Sequence, residues 1–222
     1  MATRLYLPSS GVSPLNALAV SSVWDYTGVN FFRAPMTTTK SNTALTDFTY
    51  TPPSTSGVYQ MCVAQWVSPS LTSVATLPSN FFSSVVRGVE GNVAVDASPC
   101  VVVRIVNADG TIVRHNLVIP LVKAVEFGVS AATVTQMDVY LNSSGQIGDR
   151  FVVELGFWFV TPSDSHTATL RFGDPSSVND FTFVDGLTGD FCPWVQFPVN
   201  LSFVVPPILE VSSVYSSVSK IW

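Results

Sequence analysis

Turn-forming residues divide this chain into short apolar runs. Stretches rich in Val, Phe, Thr and Tyr recur along it, each closed by Gly, Pro, Asn, Asp or Ser. The three-and-four spacing of an amphipathic helix is almost missing. Lys occurs only at Lys40, Lys123 and Lys220, and Glu only at Glu90, Glu126, Glu154 and Glu210, so good helix formers are scarce. Such a chain satisfies its backbone by pairing strands. The pattern predicts an all-β fold: an antiparallel two-sheet sandwich, with a jelly roll as the expected topology and extended arms at both ends. Nothing in it alternates strand with helix, as a parallel sheet would require.

The clearest local feature is a hairpin. Val101–Val106 and Thr111–Ile119 flank Asn107-Ala108-Asp109-Gly110, and Asp-Gly supplies the positive φ of a tight turn. Further strands are expected at Thr3–Leu7, Val29–Arg33, Thr37–Tyr50, Tyr59–Val67, Phe81–Glu90, Leu121–Phe127, Thr133–Leu141, Arg150–Val160, Ala168–Phe172 and Trp194–Val205. In Tyr59–Val67 strict alternation puts Tyr59, Met61, Val63, Gln65 and Val67 on one face and Cys62, Ala64 and Trp66 on the other. Both faces are largely apolar, so this strand is expected to be central. Asp174–Asp190 reads as a long loop. Residues 1–24 read as an N-terminal arm, 25–205 as the sandwich and 206–222 as a C-terminal arm that follows Pro206-Pro207. That last segment either leaves to dock elsewhere or folds back on its own sandwich.

Charge narrows the function. The chain has 222 residues but only 25 charged side chains, where average usage would give roughly 55. A compact monomer of this mass exposes about 10,000 Å², so charges are spaced as widely as the largest apolar patches of ordinary monomers. Much of this surface is expected to be covered by copies of the chain or by a partner. A net charge of −5 without a basic run excludes a nucleic-acid groove. No apolar run approaches the length of a membrane helix. The first residues make a poor signal peptide, because Pro8-Ser9-Ser10-Gly11 breaks the apolar stretch. Cys62, Cys100 and Cys192 are odd in number and widely spaced, and read as buried free thiols.

Chemistry is thinly represented. His115 lies within a strand, and His166 sits in Asp164-Ser165-His166, too close in sequence to build a triad. No Gly-x-Ser-x-Gly elbow, HExxH or CxxC occurs. Asp185 to Asp190 could offer oxygens to calcium but lacks the spacing of a calcium loop and reads as a turn. Glu154 is the odd residue, one acid in an almost wholly apolar strand. It is either a catalytic acid of perturbed pKa or the partner of an arginine such as Arg104 or Arg150. Sugar stacking would call on Trp24, Trp66, Trp158, Trp194 and tyrosines such as Tyr26 and Tyr59, most of them in strands where core packing is the default. The residues alone therefore predict no enzyme, no cofactor and no metal.

MATRLYLPSSG at the N-terminus, Trp24-Asp25, GDRFVVELGFW (Gly148 to Trp158), LRFGD (Leu170 to Asp174) and PWVQF (Pro193 to Phe197) resemble a group of tailed-bacteriophage virion proteins. The resemblance spans the chain up to about Val205. It implies a β-sandwich structural subunit of the virion, such as a capsid decoration (cement) protein that forms a homotrimer and bridges the major capsid protein. A tail, neck or fibre component that binds carbohydrate is the alternative. The expected contact residues lie on the two arms: Leu5, Tyr6 and Leu7 on the first, and Ile208, Leu209, Val211, Val214, Tyr215, Val218, Ile221 and Trp222 on the second.

Overall fold

A computed structural model describes residues 2–54, 56–122, 125–140, 142–160 and 165–204. These form thirteen strands. They are β1 (Thr3–Tyr6), β2 (Tyr26–Pro35), β3 (Thr46–Tyr50), β4 (Val58–Val67), β5 (Ala75–Leu77), β6 (Asn80–Glu90), β7 (Ala97–Val106), β8 (Val113–Val122), β9 (Ala132–Tyr140), β10 (Ser143–Gly145), β11 (Arg150–Val160), β12 (Ala168–Phe172) and β13 (Trp194–Phe197). One sheet runs β2-β4-β11-β7-β8. The other runs β1-β13-β6-β12-β3, with β9 also paired to β6. β9 takes one edge of β6, while β13 and β12 share the other end to end. β5 and β10, which the sequence did not reveal, form a small two-stranded sheet.

The protein is all-β, and its two large sheets enclose one core. Alternation on β11 turns Phe151, Val153, Leu155, Phe157 and Phe159 inward, and β7 adds Val101, Val103 and Ile105. Phe151 meets Phe197 at 4.7 Å between ring centroids, and Trp66 meets Phe172 at 4.5 Å, tying the sheets together through aromatic pairs.

Three expectations need correcting. First, β2 and β4 pair parallel, from Phe32 opposite Ala64 to Pro35 opposite Val67. The chain between them crosses to the other sheet to form β3, which gives it the length a parallel return needs. Second, alternation fails on β4. Leu155 faces Ala64 and Gly156 faces Cys62, so Val63 bulges. Met61, Ala64 and Trp66 therefore face the core, while Cys62, Gln65 and Val67 face outward. Gly156 is required there, since a Cβ would lie 2.0 Å from the Met61 carbonyl oxygen. Third, several strands are shorter than expected, or merged. Thr37–Tyr50 is strand only from Thr46; β13 stops at Phe197, before Pro198, which has no N–H to donate; and β8 continues to Val122 instead of restarting at Leu121.

The N-terminal arm is part of the sandwich. β1 pairs with β13, and Leu5 and Leu7 are fully buried in the core. Leu5 and Leu7 are thus core residues of their own chain, not contacts for a neighbour. Residues 12–24 form a strap across the outer face of the five-stranded sheet. Leu15 and Leu18 cover Val67, Val106 and Val152, while Val20, Val23 and Trp24 cover Cys62, Cys100 and Val102. The C-terminal contact residues, Ile208 to Trp222, lie outside the described residues.

Candidate functional site

Glu154 points outward from β11 and is fully buried beneath the strap. Its carboxylate accepts from the Ser21 N–H at 3.1 Å, the Trp24 indole at 2.8 Å and the Gln65 amide at 2.9 Å. Arg104 pairs with it and donates to the Ala19 carbonyl at 2.9 Å. Arg33 donates to the Leu18 carbonyl at 3.0 Å. Of the two readings of Glu154, the structure supports the ion pair with Arg104. The carboxylate is committed to four donors that pin the strap, which is a positioning role rather than that of an exposed acid. The sequence held no local signal for Ser21 or Gln65, because the partners lie far apart in the chain.

The other chemical candidates are dispersed. His115 sits on β8 opposite Ile105, and His166 precedes β12. Asp185 accepts from the Thr135 N–H and hydroxyl, and Asp190 pairs with Arg87 and Arg171. Among the described residues no three His, Cys, Asp or Glu side chains are grouped to hold a metal ion. Trp24, Trp66 and Trp194 are buried, their indole N–H groups donating to Glu154, to the Pro8 carbonyl and to the Phe181 carbonyl. They offer no stacking platform for a sugar. Tyr26 is exposed and sits 6.3 Å from Tyr59, ring to ring.

A second polar cluster joins β1 to the 174–190 loop. Asp180 accepts from Arg4 at 2.8 Å, Tyr6 at 2.9 Å and Lys40 at 3.0 Å. Burial opposes its charge, yet these donors hold its carboxyl below the usual range. Burial, reinforced by Asp180, pushes the Tyr6 phenol up to about 12. Arg4 also lies over the Trp194 ring at 4.0 Å.

All eight described cationic side chains are engaged inside their own chain. Arg4, Lys40, Arg87, Arg104, Arg114 and Arg171 pair with carboxylates. The remaining two, Arg33 and Arg150, donate to backbone carbonyls at Leu18, Ala108 and Ser68.

A groove of about 980 Å³ lies beside β1. Val12, Pro35, Met36, Phe203 and Val204 give it apolar walls, with Thr37–Thr39 along one rim. Tyr6 donates its N–H to the Thr37 carbonyl at 2.9 Å, away from β13. In an antiparallel ladder alternate residues point the same way, so the Arg4 N–H and carbonyl also face away from β13, on the groove side. At the groove's end the chain runs beside residues 70–72. Thr72 donates to the Ser202 carbonyl at 2.9 Å and Val204 to the Ser70 carbonyl at 2.8 Å.

No family model and no curated protein matches this sequence. Among solved structures the chain is similar to one described as an alpha-amino acid ester hydrolase labelled with selenomethionine. The TM-score is 0.42 at 10% identity, covering 90% of this chain and 36% of that one. The chain thus spans about a third of that hydrolase's length. The expectation that this chain is not an enzyme is corrected on this finding: the matched protein is a hydrolase, and the exclusion of enzymatic activity does not stand. A likeness at this level assigns no activity to this chain.

Proposed function

We propose that this chain is a structural subunit of a phage particle, a capsid decoration protein that associates with itself as a homotrimer and bridges the major capsid protein. The observation that carries this reading is the engagement of every described cation within its own chain. Beside a few exposed carboxylates such as Asp25, Asp109 and Asp190, the outer surface is hydroxyls, backbone and apolar side chains such as Val12, Val93 and Ile147. Such a surface is cheap to dehydrate, because few ions must leave water when it is covered. At about 25 cal/mol per Å², each 400 Å² of apolar area offers roughly 10 kcal/mol before association entropy is subtracted. The resemblance of the N-terminal, β11, β12 and β13 segments to virion proteins supports the same reading.

The test is sedimentation velocity of the full chain over a wide concentration range, then co-sedimentation with phage shells and imaging of the decorated particle. The expected result is a trimer that pellets with shells. A lone species at every concentration that stays in the supernatant would overturn the proposal.

A further inference from the structure

We propose that the turn between β6 and β7, residues 91–96, is a pH-operated latch: the protonated Glu90 carboxyl holds it shut, and loss of that proton lets it open. The latch goes beyond the structural role above and does not depend on it. Hydrogen bonds gather three acids around one residue. Glu90, at the end of β6 and 3% exposed, accepts from the Ala97 N–H at 2.5 Å, so its side chain bridges the base of the turn. Asp96 immediately precedes Ala97. The Ala97 carbonyl accepts from the Phe127 N–H at 2.8 Å, which brings Glu126 to the same place. The Glu90 N–H donates to the Gly128 carbonyl at 3.0 Å and completes the ring.

Among the described residues no cation joins this group. The charged side chains that face Glu90 are Asp96 from the turn and Glu126 from the 125–128 segment, while β7 and β12 present none. A carboxylate enclosed beside two others without a counter-charge is costly, so the site favours a neutral acid. Burial pushes the Glu90 carboxyl up to about 7, against the pull of the Ala97 N–H and with the help of Glu126 and Asp96. The turn has few other ties. Gly91 donates to the Thr167 carbonyl at 2.8 Å where the turn begins. Its other bonds are internal: Val95 donates to the Asn92 carbonyl at 3.1 Å, and Ala94 to the Asn92 side chain at 2.9 Å. Only Val95 of the turn is buried. Asp96 is held at φ +47°, a left-handed conformation that a non-glycine residue keeps where its surroundings enforce it. An ionised Glu90 gains water only by leaving the Ala97 N–H, and that unties the turn.

Amide hydrogen exchange of the full chain between pH 5 and pH 8, corrected for the intrinsic rate of each amide, decides the matter. Protection of the Val95, Ala97 and Phe127 N–H groups should fall at least about tenfold across this range. The ceiling is about 300-fold, set by a carboxyl that moves from its ordinary 4.5 to about 7. These amides should also be less protected than those of β11 at every pH. If they exchange at the same rate as β11, the turn opens only with the whole fold and the latch is overturned. Glu90→Gln keeps an acceptor for the Ala97 N–H and carries no charge, so its turn amides should lose the pH dependence. A fall that persists in this variant overturns the proposal. Should Glu90→Gln fail to fold, Glu126→Gln, at an exposed position, serves instead. With one neighbouring acid removed the fall should end at a lower pH, and an end point that does not move overturns the latch.

Discussion

The two faces of the five-stranded sheet are both buried, but by different means. The inner face packs against a second sheet through Val, Leu and Phe side chains, in strict alternation along β11. The outer face is covered only by the strap, and its centre is ionic: Glu154, Arg104 and Gln65 between two small apolar clusters. The inner face would tolerate many apolar sequences of similar volume. The outer face depends on particular donors meeting one carboxylate, so it fixes where the strap lies.

Removing the carboxylate should break the contrast most severely. Glu154→Ala leaves Arg104 buried without its counter-charge and should cost about 3–5 kcal/mol in urea unfolding. Limited proteolysis should then cut within residues 12–24 before the sandwich. Equal protection of strap and sandwich would show that the clasp does not hold the strap.

A second buried acid sharpens the comparison. Glu90, at the end of β6, is driven up to about 7 by burial, and by Glu126 and Asp96 nearby, although the Ala97 N–H donates to it at 2.5 Å. The folded state therefore holds this proton more tightly than the unfolded chain does. The resulting stability is fully present below about pH 4.5 and is gone once the pH has risen past about 7. Glu90→Gln should flatten that fall, which is at most about 3 kcal/mol and readable as midpoint shifts across the range. An unchanged slope would refute the assignment.

Adjacent valines compare the faces directly. Val153 points into the core and Val152 points under the strap, and both are fully buried. Val153→Ala should cost about 2–3 kcal/mol, whereas Val152→Ala should cost about 1–2, because a loop relaxes into a cavity more readily than a sheet. Equal costs would mean that the strap packs as tightly as the core. The smallest change is Trp24→Phe, which keeps one aromatic ring and deletes the indole N–H that donates to Glu154. It should cost about 1–2 kcal/mol and slightly raise cleavage in the strap.

These regions also differ in how plainly the sequence announces them. Arg150–Val160 and Ala168–Phe172 are read to the residue, because each is an uninterrupted β-forming run closed by turn residues. The Asp-Gly hairpin is legible for the same local reason: Gly110 adopts φ +77°. The bulge at Val63 was hidden because it depends on how closely the Gly156 backbone approaches Met61. The strap was hidden because its anchors come together only after β4, β7 and β11 have paired. Glu154 stood out as chemically odd, but oddness did not say whether it served a reaction or a join. Leu5 and Leu7 misled for the opposite reason, since apolar residues near a terminus look alike whether they pack inward or outward. The groove left no trace, being made by five separate stretches of chain.

The enclosure of the Glu154–Arg104 pair carries a consequence for the medium around this protein. Dissolved salt weakens attractions between exposed ions, such as Arg171 with Asp47 and Asp190, and it hardly touches a pair already enclosed. Brine should therefore loosen the edge where β3 meets β12 and leave the strap in place.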